Sequence, residues 1–82
     1  MESVIKKVMS EIFEISITDI GPNSSMDNIS SWDSLGHLQL IIQLEEKLGV
    51  SFNERETLAM ISFESIVKTL DKKSKRNGNI QA

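Results

Sequence analysis

Cysteine is absent from the 82 residues, proline occurs once and glycine four times. With no thiol, the chain offers no disulfide framework, no thiolate metal site and no cysteine nucleophile. No apolar run approaches the roughly 20 residues that a membrane span requires, and no apolar stretch of signal-peptide type follows the N-terminus. A cytoplasmic protein is therefore expected. What is present is ordinary for a folded domain: 39% hydrophobic and 26% charged residues, too apolar for a disordered chain. The length allows one small domain.

Charge is unevenly distributed. All 12 acids lie in residues 1–71 with only 5 bases, a net −7, while Lys72, Lys73, Lys75 and Arg76 follow without an acid among them. An acidic domain attracts cationic partner surfaces and lacks the basic face that nucleic acid requires. Residues 1–71 read as the domain and 72–82 as a basic, polar, disordered tail.

The apolar spacing predicts helices only. Val4, Ile5, Val8, Met9, Ile12 and Phe13 make one amphipathic face over residues 3–15. Residues 16–33 carry turn chemistry, with Ile17, Ile20, Met26, Ile29 and Trp32 available to pin a long loop. Residues 34–48 are apolar over much of a helical circumference, so this helix should be central. Asp33 is its natural N-cap and Gly49 its stop. Ser51-Phe52-Asn53-Glu54 has capping-box form for a short helix ending near Met60. Ser62 would cap a last helix with Phe63, Ile66, Val67 and Leu70 inward. The expected fold is all-α, a four-helix bundle with a long first loop and a short third helix.

Enzyme chemistry finds little support. Ser34 and His37 share a helix face, but the pair lacks an orienting third group, and no G-x-S-x-G elbow surrounds the serine. The segment at Asp27 fails as a calcium loop, because Ile29 and Trp32 stand where an oxygen ligand and glycine are needed. Glu45 and Glu46 point to different sides of a helix, and no metal site is expected. Asp33-Ser34-Leu35 remains. It sets a hydroxyl where N–H groups point outward and the helix dipole is positive, a setting that favours a phosphate ester. The alternative is that Asp33 and Ser34 only cap the helix.

Trp32-Asp33-Ser34-Leu35-Gly36-His37-Leu38, followed by Ile41-Ile42-Gln43-Leu44-Glu45-Glu46, closely resembles acyl carrier proteins over roughly residues 3–71. The resemblance implies that a phosphopantetheinyl transferase attaches 4′-phosphopantetheine from coenzyme A to Ser34, within the Asp33-Ser34-Leu35 motif. The arm's thiol would carry acyl groups as thioesters, and the chain would be a carrier, not a catalyst. Acyl-transferring or acyl-activating enzymes would dock basic surfaces on Glu45 and Glu46, with Trp32 and Leu35 beside the serine. Trp32 could equally anchor the loop. Leu38, Ile41, Ile42, Leu44, Met60 and Ile61 are candidates to line an acyl pocket, or to be plain core. A monomer is expected. Gly36 and Gln39 stand where fatty-acid carriers have acids, which hints at a specialised lipid, polyketide, peptide or glycan pathway rather than general fatty-acid synthesis. An aminoacyl or peptidyl carrier and, from another class, a small helical interaction module are the alternatives.

Overall fold

The structure is a computed structural model that describes the backbone of residues 2–81 and the side chains of residues 2–73. Four helices follow one another: α1 Glu2–Phe13, α2 Ser34–Leu48, α3 Glu54–Ala59 and α4 Phe63–Gln81. Among the described residues no strand forms. One isolated antiparallel bridge joins Ser25 to Ser62 and stitches the first loop to the turn before α4.

The amphipathic stripes meet in one core. Ile5, Val8, Met9 and Phe13 come from α1, Leu40, Ile41 and Leu44 from α2, and Phe63, Ile66 and Leu70 from α4, all 5% exposed or less. The long loop is pinned by four of its five expected anchors, with Ile20 and Trp32 buried and Met26 and Ile29 packed against the core, while Ile17 is 46% exposed. Its one regular piece is a 3₁₀ turn at Ile17–Asp19, capped by the Ser16 hydroxyl.

Helix ends follow local chemistry. Asp33 is extended (φ −103°, ψ −170°) and its carboxylate accepts the Gly36 N–H, which fixes the first turn of α2. Gly49 closes α2 in the left-handed region at φ 64°, where a side chain would be strained. The Ser62 hydroxyl accepts the Ser65 N–H at 3.1 Å and caps α4.

Two boundaries differ from the sequence expectation. The capping box of α3 is Asn53 with Glu56, not Ser51 with Glu54. The reason is tertiary: the Glu45 carboxylate takes the Phe52 N–H at 2.8 Å and holds that residue against α2 before a helix can begin. The second difference lies after Asp71, where a disordered tail is expected and the backbone of α4 continues helical to Gln81. No proline interrupts this stretch, and Lys73 of α4 pairs with Glu56 of α3 at 2.9 Å. The side chains of 74–81 and all of Ala82 lie outside the described residues.

Candidate functional site

Ser34 is the first residue of α2 and is exposed. Its neighbours explain why it stands clear. The Asp33 side chain turns back to Gly36 at 2.8 Å, and the Asp33 carbonyl accepts the His37 N–H at 2.8 Å. No hydrogen bond among the described residues occupies the Ser34 hydroxyl. The first-turn N–H groups of Ser34 and Leu35 have no partner within the helix, as at any α-helix start. A phosphate ester on Ser34 would meet unpaired donors and the positive end of the dipole.

The loop is drawn tightly beneath this turn. The Ser31 hydroxyl donates to the Phe13 carbonyl at 2.9 Å. Gly36 is buried, and a Cβ there would sit 2.8 Å from the Ser31 carbonyl oxygen and 3.1 Å from the Phe13 ring. The missing side chain leaves no open room for the arm or a partner. In the structure the space is taken by the protein's own loop. Any side chain at this position would have to displace the Ser31 backbone.

Trp32 is 2% exposed. It stacks on Phe13 with ring centroids 5.0 Å apart and donates from Nε1 to His37 Nδ1 at 3.0 Å. Burial corrects its assignment as a docking residue: a side chain closed in on the core presents no surface to a partner. It anchors the end of the loop. The same bond sets His37. Because an indole can only donate, Nδ1 must accept, so the proton of the neutral ring is on Nε2. Nε2–H then donates to the Thr57 carbonyl of α3 at 2.7 Å. The spacing of Ser34 and His37 suggested only a shared helix face. It gave no sign that His37 links the first loop, α2 and α3, since Thr57 lies twenty residues away and the Trp32 contact depends on how the loop end packs.

The remaining candidates divide. Ile41, Leu44 and Met60 are buried at 5% or less. Leu38, Ile42 and Ile61 are 55%, 44% and 48% exposed, so they line no enclosed interior. Ile42 instead borders a groove of about 430 Å³ between α1 and α2, with Val8, Glu11, Ile12, Gln39 and Gln43. Leu35 is exposed beside Ser34 and Glu46 is exposed further along α2. Glu45 is half-buried and engaged with Phe52, so of the two docking acids Glu46 is the one turned fully to solvent. Among the described residues no group of His, Asp or Glu is arranged to hold a metal ion. No described helix is long and apolar enough to cross a membrane.

The family described as phosphopantetheine attachment site matches residues 3–70, nearly the whole bundle. The chain belongs to this phosphopantetheine attachment family. It is similar to the acyl carrier protein of Desulforapulum autotrophicum, with 27% identity over 90% of this chain and 97% of that protein. It is also similar to the acyl carrier protein of Buchnera aphidicola, with 26% identity over 93% and 96% of the two chains. The solution structure of a holo acyl carrier protein from Geobacter metallireducens superposes with a TM-score of 0.81, covering 95% of this chain and 90% of that one at 23% identity. That likeness shows the four-helix fold. The cofactor of such a carrier is covalently attached 4′-phosphopantetheine, and the donor geometry at the start of α2 suits its phosphate.

Proposed function

We propose that Ser34 is the residue that carries the 4′-phosphopantetheine arm and that the chain shuttles thioester-bound acyl groups between enzymes. The observation that supports this most is the exposed, unengaged hydroxyl of Ser34 at the N-terminus of α2, in a chain matching the attachment family over residues 3–70. Loading would join the serine oxygen to the pantetheine phosphate of coenzyme A. Adenosine 3′,5′-bisphosphate departs and the serine proton is released. The bound arm supplies the thiol that the chain lacks. Asp33 holds the turn in place through Gly36, and Leu35 flanks the attachment point on the open surface.

Tethering converts an encounter between cargo and enzyme into a local event at high effective concentration. Enzymes acting on the arm would meet the exposed face of α2, where Glu46 offers charge and Leu35 and Leu38 offer apolar contact. The thin acidic strip, with Gly36 and Gln39 in place of acids, favours enzymes of a specialised lipid, polyketide or glycan pathway over the general fatty-acid set. A monomeric, cytoplasmic carrier is part of this reading.

The test is direct. Apo-protein is incubated with coenzyme A, Mg²⁺ and a broad-specificity phosphopantetheinyl transferase, and its mass is measured. One phosphopantetheinyl group should be added to the wild type and none to Ser34→Ala. A wild type left unmodified by several competent transferases would favour a helical interaction module in which Ser34 is only part of a cap.

A further inference from the structure

We propose that this carrier holds a short or polar acyl group, aminoacyl included, outside the bundle, because His37 bolts α3 to α2 across the gap beside Ser34. This rests on Ser34 being the attachment residue. His37 lies three residues after Ser34, on the same side of the helix, because residues at that spacing share a face. A chain borne on Ser34 and entering between α2 and α3 has to pass this ring. The ring spans that gap. Nδ1 is held by the buried indole of Trp32 at 3.0 Å and Nε2 by the Thr57 carbonyl at 2.7 Å.

Other ties hold α3 in the same place. The segment before it is held by the Glu45 carboxylate on the Phe52 N–H at 2.8 Å. Glu56 pairs with Lys73 of α4 at 2.9 Å, with both side chains 19% exposed. After α3, the Ile61 carbonyl accepts the Met26 N–H at 3.0 Å and the Phe63 N–H donates to the Ser24 carbonyl at 2.9 Å. The interior behind this door is filled: Ile41 is 5% exposed, and Leu44, Met60 and Ile66 are fully buried.

A cargo that entered would leave the Trp32 indole N–H buried without an acceptor and strip the Thr57 carbonyl of its short bond from His37, leaving only the longer one from the Met60 N–H at 3.4 Å. Each methylene taken from water returns less than such an orphaned group costs. The exchange breaks even only at about four methylenes. Acetyl, butyryl and small aminoacyl groups fall short of that and stay in solvent, where a polar group on the cargo loses no hydration.

The test uses the full chain, loaded by transferase with acetyl- or butyryl-coenzyme A and followed by methyl NMR and by thermal melting. In the wild type the methyls of Ile41, Leu44 and Met60 should hold their positions from acetyl to butyryl, and the melting midpoint should not change. In His37→Ala the same methyls should shift with butyryl, and the midpoint should rise with chain length. Butyryl-dependent shifts of these methyls in the wild type overturn the proposal, and this arm stands even where the variant fails to fold. Failure of both thioesters to load at all, with Ser34 intact, strikes instead at the attachment reading.

Discussion

Helices α2 and α3 face each other across the site and are held by opposite means. α2 is fastened by burial: Leu40, Ile41 and Leu44 are 5% exposed or less, and Gly36 lets the loop close against its first turn. α3 buries none of its own residues. It is held by a capping box, by hydrogen bonds from His37 to Thr57 and from Phe52 to Glu45, and by the Glu56–Lys73 pair. Burial of a large side chain contributes about 1.5–3 kcal/mol, whereas a typical hydrogen bond adds about 1 kcal/mol net. The platform that presents Ser34 is therefore rigid, and its neighbour is an element of separable attachments. Such elements open locally well before the global unfolding limit.

The largest effect should come from the burial side. Leu44→Ala removes a fully buried side chain and should cost about 2–5 kcal/mol. It would be read as a lower denaturation midpoint, with every helix lost together. A loss confined to α2 amides would break the comparison. Gly36→Ala should follow. Its new methyl meets a backbone carbonyl at 2.8 Å, an overpacking worth about 1–3 kcal/mol. Because the displaced group is the Ser31 segment that leads to Asp33, this variant should also slow loading at Ser34. An unimpaired loading rate would show that the loop and the cap are not coupled.

Asn53→Ala deletes the α3 cap, whose side chain accepts the Glu56 N–H at 2.7 Å. About 1 kcal/mol is expected, seen as faster hydrogen exchange at Thr57 and Met60 with little change at the α2 amides. Equal acceleration in both helices would mean that α3 does not open on its own. Smallest is Lys73→Ala, which breaks a partly exposed ion pair. The loss should stay below about 1 kcal/mol and shrink further with added salt. A salt-independent loss would assign the effect to packing of the lysine stem on the Phe52 ring, 5.5 Å from the ammonium, and not to charge.

Much of this architecture was legible without coordinates. The stripes on the first, second and last helices, the Asp33 cap, the Gly49 stop and the pinned loop all follow from patterns within a few residues, and the helices formed close to where those patterns lie. Misplacements have one common origin. Ser51-Phe52-Asn53-Glu54 looks like a capping box, yet a carboxylate from α2 takes the Phe52 N–H and moves the helix start to Asn53–Glu56. Trp32 suits a surface contact by its position beside the motif, yet Phe13 and His37 close around it. Leu38, Ile42 and Ile61 are apolar enough for a pocket, yet they lie on outward faces.

Helical periodicity and the Asp33-Ser34-Leu35 turn are encoded in neighbours along the chain, so the order of the helices and the site's location could be read from residues alone. The role of His37 could not. Its two partners lie five residues before it and twenty after it, and a hydrogen bond across such separations exists only once packing has brought the loop, α2 and α3 together. The same holds for Gly36, whose necessity depends on a carbonyl delivered by the folded loop. Local rules set which segments become helices; the contacts between those segments set which side of Ser34 stays open.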